Sequence, residues 1–227
     1  MIPWLRNPKL NPTAQRKQLD LMHALNREHL AAQGGNENAL QGRIEAMETA
    51  YGMQFAATDA FDLGKEPAAV RESYGKGHFA NGCLLARRLS ERGVRFIQVY
   101  YGNGQPWDTH RDHNKTTPNL AKAIDQPIAA LLGDLKERGL LEETLIVWGG
   151  EFGRTPVSEN GSGRDHNPHG FMMWLAGGGV KGGMSYGESD EFGFKAIDNR
   201  MHVHDLHATL LHLLGIDHER LTYKHAG

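Results

Sequence analysis

Thr144-Leu145-Ile146-Val147-Trp148-Gly149-Gly150-Glu151-Phe152-Gly153-Arg154-Thr155-Pro156 changes character at its middle. The first five residues form a compact apolar run, the signature of a short buried strand. Gly149-Gly150 lets the backbone turn tightly, and Glu151 and Arg154 follow at once. In open α/β sheets, ligands gather outside the carboxyl ends of the strands. This stretch therefore predicts both a sheet and the rim on which its chemistry sits.

The pattern extends in both directions. Upstream, a helix over about 80–92 ends at Gly93, and Val94-Arg95-Phe96-Ile97-Gln98-Val99-Tyr100 reads as a strand. A helix from Asn119 to Arg138 carries Leu120, Ile124, Ile128, Leu131, Leu132 and Leu135 on one stripe. Pro127 is expected to kink or divide it, and Gly139 to end it. Downstream, Phe171-Met172-Met173-Trp174-Leu175-Ala176 reads as a buried strand stopped by Gly177-Gly178-Gly179. Asp205 reads as the N-cap of a helix from Leu206 to Leu214, closed by Gly215. Strands alternating with helices predict an α/β fold with a mainly parallel sheet flanked by helices.

Residues 1–77 differ. Leu19, Leu21, Met22, Leu25 and Leu30 recur at helical spacing, Gly34-Gly35 breaks the run, and a second helical stretch spans Asn38 to Tyr51. Residues 57–76 read as loop with a short helix. Two such helices make a poor independent core, so the expected organisation is a helical segment, 1–77, packing on an α/β core, 78–227.

Composition narrows the function classes. The chain has 227 residues, is 39% hydrophobic and 23% charged, and carries a formal net charge of -2. That charge gives no electrostatic reason to expect nucleic acid or an anionic membrane as partner. No apolar run approaches the roughly 20 residues that span a bilayer. The start, Met1-Ile2-Pro3-Trp4-Leu5-Arg6, lacks the basic and apolar regions of a secretory signal. The single cysteine, Cys83, excludes an intrachain disulfide.

Thirteen histidines are present, and several stand beside carboxylates and turn residues. The densest clusters are Trp107-Asp108-Thr109-His110-Arg111-Asp112-His113, the Glu151–Arg154 turn, and Gly163-Arg164-Asp165-His166-Asn167-Pro168-His169. Neutral imidazole and carboxylate are the usual ligands of divalent metals, so separated loops converging on one rim would make a metal site. Arg154 and Arg164 adjoin it and could clamp a phosphate or sulfate, or equally pair with Glu151 or Asp165. His23, His29 and His78 lie in helical or loop contexts and read as surface or packing residues. His202, His204, His207, His212 and His218 surround the last helix and read mostly as scaffold. Gly177-Gly178-Gly179-Val180-Lys181-Gly182-Gly183 lacks the spacing of a nucleotide-binding loop.

Several phrases, in order, carry a resemblance: Trp-Asp-Thr-His (107–110), Asp-Leu-Lys-Glu-Arg-Gly-Leu-Leu-Glu-Glu-Thr-Leu (134–145), Trp-Gly-Gly-Glu-Phe-Gly-Arg-Thr-Pro (148–156), Gly-Arg-Asp-His-Asn-Pro (163–168), Trp-Leu-Ala-Gly-Gly-Gly-Val-Lys-Gly-Gly (174–183) and His-Asp-Leu-His-Ala-Thr-Leu-Leu-His-Leu-Leu-Gly-Ile-Asp (204–217). From about Ile2 onward the chain resembles the bacterial domain of unknown function 1501 family, a sulfatase-like branch of the alkaline phosphatase superfamily. The resemblance implies hydrolysis of small-molecule or carbohydrate sulfate or phosphate esters at one or two divalent metals, commonly zinc, calcium, manganese or magnesium. It implies Asp108, His110, Glu151, Asp165 and His166 as metal ligands, with His113 and His169 in reserve; beside them Arg154 or Arg164 would be the catalytic cation that stabilises charge on the non-bridging oxygens.

Two departures stand out. Phe152 occupies a position where the superfamily has a histidine ligand, so Asp165 or His169 replaces it, or the site holds one metal. The superfamily's N-terminal region, which brings the first aspartates and the nucleophile, is expected to lie ahead of this chain. An exported or periplasmic location is plausible for a full-length relative. Cys83-Leu84-Leu85-Ala86-Arg87 is similar to the sulfatase Cys-x-Pro-x-Arg signature but lacks its proline, and Cys83 reads as a packing residue. Thr109 and Thr155 are the hydroxyl candidates. Catalytically inactive metal-binding and interaction modules of the same fold are the alternatives to a hydrolase.

Overall fold

A computed structural model describes residues 9–32 and 38–223, with only the backbone described at 38–41, 50 and 53–57. Its contacts divide the chain into two compact units, Met1–Lys65 and Glu66–Gly227.

The first unit contains two helices, α1 (Pro12–Ala32) and α2 (Asn38–Ala60). Asn11 caps α1, its Oδ1 accepting the Ala14 N–H at 2.8 Å. The two helices are joined by charge: Arg16 Nη2 lies 2.9 Å from Glu48 Oε1, and His23 Nε2 lies 2.6 Å from the same oxygen. His23 thus has a carboxylate partner that its sequence context did not reveal. The Gly34-Gly35 break lies outside the described residues. α2 continues past Tyr51 into the stretch expected to be loop.

The second unit is built on three helices, α3 (Ala68–Tyr74), α4 (His78–Ser90) and α5 (His113–Glu137). α5 presents buried Ile124 and Leu135, α4 presents Ala80, Cys83 and Leu84, and α3 ends on buried Tyr74. Each large apolar side chain so buried contributes on the order of 2 kcal/mol. Pro118 and Pro127 both lie within α5 without dividing it. Gly139, at φ 68°, takes the left-handed conformation after the helix.

Charge is buried at the centre of this core. Arg87 is 1% exposed, and its guanidinium meets Glu66, Glu91 and Asp134 at 2.6, 2.8 and 2.8 Å. The Nε atom faces Asp134 outside good hydrogen-bond alignment. Arg88 also pairs with Glu66, and the Tyr74 hydroxyl donates to Asp134 at 2.9 Å.

The expected parallel sheet does not form. The strands are β1 (Ile146–Trp148), β2 (Gly153–Arg154), β3 (His166–Asn167), β4 (Trp174–Ala176), β5 (Glu188–Ser189) and β6 (Ala196–Asp198). They make two-stranded antiparallel pairs, β1 with β4, β2 with β3, and β5 with β6. A parallel pairing needs a long crossover, usually a helix. The chain between β1 and β4 contains only turns and the β2–β3 pair, so it returns antiparallel.

The stretch 94–101 runs without turn or bend, but among the described residues no backbone hydrogen bond joins 95–101 to a neighbour. Val94, Arg95, Ile97, Val99, Tyr100 and Tyr101 line a cleft, while Phe96, 78% exposed, does not, so the strict in-out alternation of a paired strand is absent.

The last helix, α6 (Val203–Leu213), is capped by His202 rather than Asp205. His202 Nδ1 accepts the His204 N–H at 3.2 Å, and Asp205 Oδ2 accepts the His202 N–H at 2.7 Å. Asp205 is the returning partner of a capping box.

Removing one member of the buried ion cluster leaves its partners unpaired. Arg87→Met should therefore cost about 3–5 kcal/mol in urea unfolding. Glu66 is held below its ordinary carboxylate value, first by the hydrogen bond from Arg87. Its contribution is then complete above the unfolded value, near 4.5, and is lost as pH falls through the depressed folded value. Glu66→Gln should flatten that acid-side loss; an unchanged acid profile would contradict this account.

Candidate metal centre

The centre is made of two loops that the helical core brings together. The first, residues 107–112, leads into α5. Asp112 takes a left-handed conformation, φ 51°, at the N-cap of that helix. The second is a β-turn hairpin in which Glu159 and Gly163 bridge each other and Asn160 and Gly161 supply the positive φ values. Asn-Gly is the strongest short-range signal for such a turn.

Backbone bonds staple the loops to one another. The His113 N–H donates to Ser162 O at 3.0 Å, and the Arg164 N–H donates to Thr109 O at 3.0 Å. At Gly163 a Cβ would stand 2.0 Å from the His110 carbonyl oxygen, so only glycine permits this approach. β2 and β3 then fix Arg154 opposite His166 in register.

Three side chains converge on one oxygen. Asp108 Oδ1 lies 3.0 Å from His110 Nε2 and 3.0 Å from His166 Nε2, and it also accepts from Arg154 Nη2. The two Nε2 atoms are 3.2 Å apart. Arg154, with those two imidazoles, holds the Asp108 carboxyl at about 2, the hydrogen bond from Arg154 being the largest cause.

His110 is oriented from behind. Its Nδ1 lies 2.6 Å from Glu159 Oε2. Because a carboxylate only accepts, Nδ1 carries the proton and Nε2 points at Asp108. The same contact raises His110 above its ordinary value. His166 is oriented by packing, with the Phe152 ring 4.1 Å from its own, centroid to centroid. The Arg154 guanidinium carbon stands over the Phe152 ring, 5.8 Å from its centroid. The position where a histidine ligand was expected thus holds a ring that positions two site residues.

The remaining sequence-predicted residues fall around this group. Asp165 Oδ1 accepts the His166 N–H at 2.7 Å, and a second cluster of ligand atoms joins His110, Glu159 and Asp165. Glu151 is exposed after β1 and belongs to neither cluster. Arg164 Nη1 donates to the Gly163 carbonyl at 2.8 Å. Neither arginine pairs with Glu151 or Asp165; Arg154 pairs with Asp108.

His113 Nδ1 lies 2.6 Å from Thr109 Oγ1 and 3.2 Å from Thr117 Oγ1, and burial lowers its ordinary value. It is a neutral knot at the start of α5, and Thr109, 4% exposed, is sealed beneath it. Thr155 Oγ1 donates to Val157 O. Burial pushes the Cys83 thiol up to about 12, as fits a packing residue. Glu159 was missed in the sequence; the Asn160-Gly161 turn beside it was the available signal.

A cavity of about 1150 Å³ adjoins the group, its lining including Asp108, Arg154 and His166 together with Trp107, Trp148 and Trp174. Trp148 and Trp174 stack at 6.1 Å across the β1–β4 pair.

Helices, short antiparallel strands and a convergent Asp-His-His group define a mixed α and β protein with a candidate metal-ligand cluster. The family profile described as "Protein of unknown function (DUF1501)" matches residues 4–227, and the chain belongs to that family. No curated protein and no solved structure matches it. No helix among the described residues is long and apolar enough to cross a membrane.

The electrostatics of the metal-free protein are directly measurable. In an NMR titration His110 should hold its proton to a higher pH than the ordinary histidine value of 6.5. Glu159→Gln should lower that midpoint, because the carboxylate stabilising the imidazolium is gone. An unchanged midpoint would show that the Glu159 contact is absent in solution.

Proposed function

We propose that Asp108, His110 and His166 hold one divalent cation, and that the site serves hydrolysis of sulfate or phosphate esters. The observation that carries the reading is the triangle of ligand atoms, 3.0, 3.0 and 3.2 Å on its sides. Ligands about 2.0–2.2 Å from a divalent ion lie roughly 3.0–3.4 Å from one another in neighbouring coordination positions. Two imidazole nitrogens this close to each other and to a carboxylate oxygen have few reasons to converge except a shared proton or a shared cation. The residues present therefore fit the group.

When bound, a divalent cation supplies Lewis-acid polarisation of a phosphoryl or sulfuryl oxygen and lowers the pKa of a coordinated water. The protein's own contributions are distinct. Asp108 brings the negative charge. Glu159 fixes the His110 tautomer so that Nε2 faces the site, the carboxylate–histidine arrangement that raises ligand basicity. Phe152 holds the His166 ring in place. Arg154 and Arg164 supply positive charge beside the site for the non-bridging oxygens of an ester.

The second reading, a metal-binding module without turnover, is favoured by one observation. Of the two hydroxyl candidates, that of Thr109 is buried and engaged by His113 and that of Thr155 is bonded to Val157 O and the Asp165 N–H, while the one thiol, Cys83, is buried in the helical core. On the hydrolase reading a water therefore attacks, or the nucleophile comes from outside the described residues.

Metal analysis of the purified chain, followed by a panel of aryl sulfate and aryl phosphate esters, separates the readings. Bound metal with turnover supports the hydrolase, and bound metal without turnover supports the module. Absence of metal sinks both. Asp108→Ala and His166→Ala should each abolish stoichiometric binding, whereas His212→Ala should leave it intact. Glu159→Gln should weaken it about 10–100-fold. Affinity in the parent protein should rise with pH through the His110 midpoint, since the proton on Nε2 competes with the cation.

A further inference from the structure

Asp108 Oδ1 is overcommitted. One carboxylate oxygen offers about two lone-pair directions, yet Arg154 Nη2, His110 Nε2 and His166 Nε2 all lie within hydrogen-bond reach of it. Arg154 is the contact that can move. Register fixes its backbone opposite His166, but among the described residues its side chain's only other hydrogen bond is a 3.2 Å donation from Nη1 to the Arg164 carbonyl. The Phe152 face at 5.8 Å offers a second, weak seat. Its side chain is 20% exposed, so a path to solvent is open. His110 and His166 are more exposed, at 38% and 42%, but each ring is held from its other side, the first by Glu159 at 2.6 Å and the second by packing on Phe152.

From this geometry we propose that Arg154 is an internal counter-cation of Asp108 that a divalent cation displaces, freeing the guanidinium to bind an oxyanion. The inference rests on the Asp108–His110–His166 reading given above and adds an order of events to it. Cation binding comes first and anion binding second, and each strengthens the other. In the cation-free protein Arg154 neutralises Asp108 and blocks the ligand oxygen. A cation at the two imidazoles brings a like charge against the guanidinium and competes for the same oxygen, so the guanidinium leaves. Once released, its planar fork matches a tetrahedral oxyanion bidentately, which a lysine cannot do. Linkage requires the coupling to be mutual.

Arg154 is on this account a positioning and specificity residue whose removal has opposite effects on the two ligands. That sign separates it from a merely structural residue, whose loss weakens both. The probes are Mn²⁺ and inorganic sulfate, followed by calorimetry on the whole chain. Arg154→Gln should bind Mn²⁺ about tenfold tighter than the parent. Arg154→Met should show the same gain, so that one poorly folded variant does not decide the matter. Arg154→Lys keeps the charge and should stay within about threefold of the parent. Sulfate should bind the parent about tenfold tighter when Mn²⁺ is saturating, and that enhancement should vanish in Arg154→Gln and fall in Arg154→Lys.

If Arg154→Gln and Arg154→Met bind Mn²⁺ equally to or more weakly than the parent, the counter-cation role is overturned while the metal site stands. Sulfate affinity in the parent that is indifferent to Mn²⁺ overturns the coupling. If the parent binds neither Mn²⁺ nor Zn²⁺, the metal reading itself has failed, and the inference falls with it.

Discussion

Burial of the Arg87 guanidinium dictates the arrangement of the helical core. A charge 1% exposed is tolerable only where carboxylates surround it, and here they come from three places: Glu66 ahead of α3, Glu91 at the end of α4, and Asp134 near the end of α5. A shift of any one helix along its neighbours would expose a carboxylate or strand the guanidinium. Apolar packing among Tyr74, Leu84, Ile124 and Leu135 supplies much of the stabilisation but tolerates sliding; the ion cluster does not. Once α5 is fixed, so is its first turn, where His113 ties to Thr109 and the preceding loop carries Asp108 and His110.

The second loop is then brought in by backbone rather than by side chains. Gly163 packs against the His110 carbonyl, Ser162 meets the Asp112 and His113 amides, and Arg164 donates to Thr109. This is an economical way to place Glu159, Asp165 and His166 near Asp108, since ordered backbone contacts cost little additional side-chain entropy. It also explains why residues 46 to 58 positions apart share one oxygen.

Helices were legible in the sequence because their signals are local. The stripe of α5, the stops at Gly93 and Gly139, and the helix before Gly215 all follow from spacing and turn chemistry. The sheet was not. An apolar β-branched run says that a segment prefers extended backbone, but pairing depends on what lies beside it. Residues 94–101 have the expected extended course without a hydrogen-bonded neighbour, and the run at 144–148 pairs antiparallel with β4 where a mainly parallel sheet was expected. Capping of α6 shows the same limit at small scale: Asp205 was the right residue for a helix start, placed one role away from N-cap because His202 fills that position. Within the site, Asp108, His110 and His166 were legible as clustered ligand types, and Arg154 as a cation beside them whose partner, Asp108, was not foreseen. Glu159 was not legible, because its partner His110 is 49 residues away; the Asn160-Gly161 turn marks a hairpin there but not which residue it brings to the site.

The two ligand clusters share His110, and that sharing bears on how many cations the proposed site takes. Nε2 belongs to the Asp108–His166 side and Nδ1 to the Glu159–Asp165 side. Simultaneous cations would require the ring to lose both protons, whereas neutral imidazole keeps one. The 2.6 Å approach of Glu159 Oε2 to Nδ1 is a hydrogen-bond distance with the proton in place. On that basis Glu159 is a support for His110 and the proposed site takes one cation. Phe152 adds no ligand atom to either side: its ring packs on His166 and lies beneath Arg154, so the position serves orientation.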